Sequence, residues 1–266
     1  MRSLLLCSLL AALGSGQAMA GSPTATISIA DGAYSWTEDL GQAGLIKFDP
    51  TAGNFAMLQG THGQSITTDN TDWWVWQDAG YWSWHTADTL NGAYMAEMEL
   101  HSISGLGDPE LSYGITVRNN TGRTQTYTIT ADETIAPPLA GANTVFASIN
   151  GSLTATSGTL QIAQSQSFRL SADNGSTLID AGVDLAPTYS TGSTGNYSAL
   201  SPLQAGPQNA WNYMLLSTTF TLSGGKGTVT VDGYAALTPV PEPESYAMLI
   251  AGLGMVGFIA RRRRVL

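Results

Sequence analysis

Alternation of polar and apolar residues with a period of two is common along this chain, and outside the two terminal segments no window shows a 3.6-residue apolar period. This is the pattern of half-buried β-strands rather than of amphipathic helices. In RTQTYTIT, Thr124, Thr126, Thr128 and Thr130 fall on one side and Gln125, Tyr127 and Ile129 on the other. LSYGITVRN, just before it, sets Leu111, Tyr113, Ile115 and Val117 on a common side. Asn119-Asn120-Thr121-Gly122 between the two is a turn signal, so the pattern predicts a β-hairpin over 111–130. Further strands are expected over 24–29, 44–48, 54–58, 73–77, 81–85, 94–100, 144–149, 152–156, 167–171, 177–181, 213–222 and 227–234. Asp173-Asn174-Gly175 and Ser223-Gly224-Gly225 separate some of them, and Pro187 to Pro207 reads as a long surface loop. Many short strands with turn residues between them predict an all-β fold, a single antiparallel β-sandwich or jelly-roll-like domain over 21–238. Pro137-Pro138 is the one candidate boundary inside it.

The two ends break this pattern. MRSLLLCSLLAALGSGQAMA, residues 1–20, has a positive Arg2, an apolar run from Leu4 to Leu13 and a small-x-small Ala18-Met19-Ala20. These are the three parts of a secretory signal peptide cleaved after Ala20. Its apolar run is too short for a spanning helix, which needs about 20 residues. Cys7 is the only cysteine, so the exported chain would have none and would stand on its core without disulfides. Leu6 before it disfavours lipidation.

At the other end, Tyr246 to Ala260 is an uncharged, mostly apolar run followed by Arg261, Arg262, Arg263 and Arg264. As a helix, with Ser245 extending it to 245–260 and the arginines snorkelling, it is expected to cross the membrane and leave the arginines cytoplasmic. Pro239, Pro241 and Pro243 keep the segment before it extended and accessible.

Charge changes the picture of the body. The net charge of −10 includes Arg2 and the four C-terminal arginines. Without the end segments, five basic residues stand against eighteen acidic ones before Pro239, a body charge of −13. Such a surface repels phosphate backbones and anionic lipid, so nucleic acid is not expected as a partner.

Candidate chemistry in the body is sparse. The densest aromatic stretch is DWWVWQDAGYWSWHTAD, residues 72–88. With Asp78-Ala79-Gly80 as a three-residue hairpin loop, Trp76 faces Trp82 and Trp74 faces Trp84, which predicts four indoles on one face and His85 opposite Trp73. An exposed row of indoles stacks on sugar rings; the same four side chains would equally fill a core. His62, His85 and His101 show no metal-binding spacing, no G-x-S-x-G frames a nucleophile, and phosphate-loop and dinucleotide fingerprints are absent. No catalytic residue, metal or cofactor is therefore expected, and the protein is not expected to be an enzyme; a hydrolase of unrecognisable site is the remaining alternative. Asp69-Asn70-Thr71-Asp72, Asp108 with Glu110, and Asp132-Glu133 read as solvated loop ends, a weak fit to Ca²⁺. Asn119-Asn120-Thr121 and Asn150-Gly151-Ser152 match glycosylation sequons. The threonine row at 124–130 would suit an ice-binding surface only if repeated on neighbouring strands. Along the sequence Thr24-Ala25-Thr26, Thr154-Ala155-Thr156 and Thr228-Val229-Thr230 are scattered pairs, which half-buried strands explain.

The order Pro241-Glu242-Pro243, a glycine-containing apolar helix, then an arginine cluster resembles the PEP-CTERM sorting signal over 239–266. The resemblance implies that exosortase, an integral-membrane processing enzyme of Gram-negative bacteria that make exopolysaccharide, cleaves near Pro241, Glu242 and Pro243. It further implies an inner-membrane-tethered precursor delivered to the cell surface or extracellular matrix. YWSWH…GDPELSYGITVRNNTGRTQTYTIT…FASINGSLT is similar to β-rich bodies found ahead of such tails. A structural or adhesive role in an exopolysaccharide or biofilm matrix is the expectation. The alternative is a carbohydrate-binding module using Trp74, Trp76, Trp82 and Trp84.

Overall fold

The computed structural model describes residues 25–31, 34–40, 46–49, 54–57, 65–66, 73–78, 81–86, 89–90, 93–94, 96–106, 109–240, 248 and 250–255. The expected signal peptide, Pro241, Glu242, Pro243 and Arg261 to Arg264 lie outside the described residues. In chain order the strands are β1 (Ala25–Asp31), β2 (Tyr34–Asp39), β3 (Ile46–Asp49), β4 (Asn54–Met57), β5 (Ser65–Ile66) and β6 (Trp73–Asp78). Next come β7 (Tyr81–Thr86), β8 (Thr89–Leu90), β9 (Ala93–Tyr94), β10 (Ala96–Leu106), β11 (Glu110–Asn119) and β12 (Gln125–Leu139). The chain continues with β13 (Asn143–Ser171), β14 (Ile179–Asp180), β15 (Thr188–Thr191), β16 (Thr194–Leu200), β17 (Gln204–Ala205) and β18 (Trp211–Pro239).

All but β8 and β9 join one antiparallel sheet, and two 29-residue strands, β13 and β18, run its whole depth side by side. Their ladder breaks register between Ala155 and Ser157 and again between Gly158 and Gln161. There both strands bend. Gly158 (φ 75°) and Gly224 (φ 80°) take left-handed conformations that side chains with a Cβ disfavour. The sheet curls at this bend, so each long strand serves two layers. In one, β18 pairs through 213–222 with β12, and β12 with β1 and then β2. In the other, β18 pairs through 227–236 with β11, followed by β10, β7, β6 and β5. We call these the β12 layer and the β11 layer.

The layers meet across a core in which inward positions largely alternate with outward ones, with breaks at 113–115 and 131–133. Tyr127 stacks on Phe220 with ring centroids 5.1 Å apart. Gln166, on the inner face of the β12 layer, donates from Nε2 to the carbonyls of Ser148 (3.1 Å) and Tyr234 (3.2 Å) in the β11 layer. Gln164 reaches the Tyr197 hydroxyl of β16 at 2.7 Å.

The expectation of β-strands in an antiparallel arrangement holds, while several local readings do not. The hairpin predicted over 111–130 is not one. β11 and β12 pair with different halves of β18, and Asn119 to Thr124 form a corner between layers. The turn itself is as expected: Asn119 Oδ1 accepts from the backbone N–H of Thr121 (3.1 Å) and Gly122 (2.9 Å). Asn119 is buried in this role, so its sequon is closed, whereas Asn150 is exposed. The stretch from Pro187 to Pro207 is no loop; its Thr, Ser and Gly hide β15 and β16, which pair with β13. Pro137-Pro138 lies inside β12. Of the expected helix over 245–260, residues 248 and 250–255 are helical with Met248, Ile250, Leu253 and Met255 exposed. Among the described residues no helix is long and apolar enough to cross a membrane.

Candidate functional site

The outward face of the β11 layer carries a cluster of charged side chains. Glu97 and Glu99 on β10 stand beside Arg118 on β11, whose Nη1 lies 2.5 Å from Glu97 Oε1 and 2.8 Å from Glu99 Oε1. Partial burial works against the guanidinium's charge, but the hydrogen bonds and charges of the two carboxylates outweigh it and hold its pKa above the ordinary arginine value. His101 sits at a register shift in β10. Its Nε2 is 2.9 Å from Thr116 Oγ1 and 3.5 Å from Glu99 Oε2. Ser104 and Ser112 share a hydroxyl hydrogen bond of 2.8 Å one step further along.

Next to this row the face is dented. Gly114 is paired with Ser102 on one side and Asp232 on the other. A Cβ there would stand 2.9 Å from both Ser102 Oγ and Asp232 Oδ1, so only glycine leaves the space open. Desolvation raises the Asp232 pKa, with the His101 charge acting in the opposite direction. The arrangement offers a strip of hydrogen-bonding groups, with an ion-paired cation at one end and an accessible carboxylate at the other.

The tryptophan hairpin adjoins the strip, in a register one residue away from the expected one. Asp78 pairs with Tyr81, so two residues connect the strands, where a three-residue loop was predicted. A slip of one residue exchanges the faces of a whole strand. Trp74 is opposite His85 and Trp76 opposite Ser83, while Trp82 and Trp84 oppose Gln77 and Val75. His85 is thus not opposite Trp73, which pairs with Thr86. The register continues into β10, where Glu97 meets His85, Met98 meets Trp84, Glu99 meets Ser83 and Leu100 meets Trp82. Positions 74 and 76 therefore share the face of Glu97 and Glu99, and positions 82 and 84 share that of the buried Met98 and Leu100. The expected four-indole face divides two and two. The side chains of these tryptophans lie outside the described residues.

His62, Asp69, Asp72 and Asp108 also lie outside them. Asp132 and Glu133, expected at a loop end, are buried within β12, because the strand runs on to Leu139. Among the described residues no group of three or more His, Cys, Asp or Glu side chains could hold a metal ion. The strip along Arg118, His101 and Asp232 was not anticipated. Its members are spread over 97–118 and 232, and only strand order brings them together.

Among solved structures the chain is similar to TmCBM61 in complex with β-1,4-galactotriose, at 11% identity over 48% of this chain and 71% of that one, with a TM-score of 0.21. It is also similar to a family 11 carbohydrate-binding module from Clostridium thermocellum in complex with a β-1,3-1,4-mixed-linked tetrasaccharide (13% identity, 69% of this chain, all of that one, TM-score 0.25). A third likeness is to the enzymatically active domain of bacteriophage CBA120 tailspike protein 4 (10% identity, 48% of this chain, 17% of that one, TM-score 0.26). TM-scores this low carry no argument about ligand or activity. No curated protein matches the chain. The C-terminus is different: residues 239–264 match the family of the PEP-CTERM protein-sorting motif. The protein thus carries a PEP-CTERM sorting signal at its C-terminus, which implies an exported protein with a membrane-anchored precursor that is processed by exosortase.

Proposed function

We propose that the processed protein resides at the cell surface or in the extracellular matrix of a Gram-negative bacterium. Its role there is structural or adhesive, with matrix exopolysaccharide held against the outer face of the β11 layer. The observation that carries this reading is the register that sets positions 74 and 76 on the face of Glu97, Glu99 and Arg118. Indoles supply flat apolar surface for a sugar ring. Carboxylates, guanidinium and hydroxyls supply paired donors and acceptors for ring hydroxyls. The body's charge of −13 favours a neutral glycan over an acidic one. The tail holds the precursor in the inner membrane while exosortase acts near Pro241, Glu242 and Pro243, with Arg261 to Arg264 as the cytoplasmic stop.

Two experiments test the proposal separately. Intact-mass analysis of fractionated cells, with and without exosortase, checks the sorting: the mature form is expected to lack Arg261 to Arg264 only where exosortase is present. Arginines retained in the wild-type host refute it. Co-sedimentation with the host's own insoluble exopolysaccharide checks the face. Trp74→Ala with Trp76→Ala is expected to reduce retention at least tenfold at unchanged Tm; full retention refutes the face.

A further inference from the structure

The threonine row of 124–130 does not stand alone: hydroxyl residues of three other strands, Thr26 among them, join it in the β12 layer, whereas Thr154, Thr228 and Thr230 belong to the β11 layer. Thr26, Thr130, Ser217 and Ser167 occupy one row across β1, β12, β18 and β13. Ser28, Thr128, Thr219 and Ser165 occupy the next, and Thr126 with Thr221 begins a third. All are on the outward face, since Ile27, Ile129, Thr218 and Gln166 between them are buried. Hydroxyls are paired across the central ladder, Thr128 Oγ1 to Thr219 Oγ1 at 3.0 Å and Thr126 Oγ1 to Thr221 Oγ1 at 3.1 Å. A hydroxyl has one donor and two acceptor sites, so each pair keeps one O–H and several lone pairs free for a ligand, in positions the pairing holds still.

The patch is uncharged. Among the described residues, charge stands at its rim, with Asp39 opposite Thr26 on β2, and Asp132 and Arg169 on either side of Leu215. It is also without outward aromatic rings among the described residues of these rows. It therefore lacks the devices with which proteins usually hold a sugar or a charged partner. What it does have is a two-dimensional repeat, about 4.8 Å from strand to strand and about 6.8 Å along each strand. Both spacings lie close to oxygen repeats on the surfaces of hexagonal ice.

We infer that the outward hydroxyl face of the β12 layer, centred on Thr128 and Thr219, binds ice. Sheet twist turns each strand by about 20–25° against the next, which confines the lattice match to two or three strands. Adsorption is accordingly modest, enough to slow recrystallisation without a large gap between melting and freezing. This inference concerns the opposite face of the molecule from the proposed glycan strip and stands independently of it.

The test is ice recrystallisation inhibition by the full-length protein in mild detergent, against a detergent-only blank. Thr128→Tyr places a bulky ring in the centre of the array; Ser165→Tyr does so at an exposed outer position where folding is unaffected. Ser198→Tyr, on the outward face of the β11 layer, is the control. Wild type and S198Y are expected to inhibit recrystallisation, and T128Y and S165Y to need at least tenfold more protein. Wild type that behaves like the blank overturns the inference. So does S165Y at wild-type potency, or an equal loss in S198Y. Exclusion from ice together with S165Y-sensitive binding to insoluble glucan overturns it in favour of a polysaccharide surface.

Discussion

Glu133 points its carboxyl to the inner face of β12, opposite Met214, at 1% exposure and with no hydrogen-bond partner for either oxygen. Burial, and then the neighbouring charge of Asp132, push its pKa up to about 8. In the unfolded chain a glutamate titrates near 4.3. The folded state thus holds a proton that the unfolded state has lost, and stability falls as pH rises from about 4 to about 8. Glu133→Gln, which stays neutral, is expected to flatten this dependence: its Tm should match wild type near pH 4 and exceed it by several degrees at pH 8.5 in calorimetric scans. Gln166 is the opposite case, a buried amide with its contacts made, including the bond it accepts from Thr218 Oγ1 at 3.2 Å. Gln166→Leu removes its two bonds to the β11 layer and the one it accepts from Thr218. A loss of about 1–3 kcal/mol in denaturant unfolding is expected.

At the scale of elements, the bend in β13 and β18 organises the fold. The corner at Asn119 to Thr124 lies against it, with Gly122 adjoining Lys226 and Gly225. A Cβ at Gly224 would stand 2.6 Å from the Thr159 carbonyl oxygen, in addition to the left-handed φ. Gly224→Val is therefore expected to cost about 1–3 kcal/mol. Because the same strands serve both layers, hydrogen exchange should show protection falling together in β11 and β12; loss confined to one layer would contradict the shared bend. The individual strands were legible beforehand. Trp73–Asp78 and Tyr81–Thr86 fall within a residue of expectation, since alternation and aromatic content are local properties. Their register was not, because a two-residue and a three-residue connection are both compatible with DAGY, and the choice exchanges which tryptophans share the face of Met98 and Leu100. The hairpin over 111–130 failed for a related reason. A good turn between two good strands does not require that they pair when another strand offers each a longer ladder.

For the molecule as a whole, two long strands run through both layers and one core joins them. Unfolding is accordingly expected as one cooperative transition, with tryptophan fluorescence and far-UV circular dichroism giving coincident midpoints in denaturant. Separate midpoints would mean that the layers melt independently. Export chemistry is compatible with this economy, since the body has no cysteine to cross-link and relies on burial alone. Some properties were written in the sequence by itself. The sorting tail is contiguous and recognised by its order of residues. Strand character follows from a period of two, which reports the side of a sheet on which each residue lies. Tertiary structure alone decided which strands are neighbours. That choice rests on contacts between residues far apart in the chain, so it leaves no local trace. It gathered Glu97, Arg118, His101 and Asp232 into one strip, divided the tryptophans between two faces, and set threonines and serines of four strands side by side on one surface.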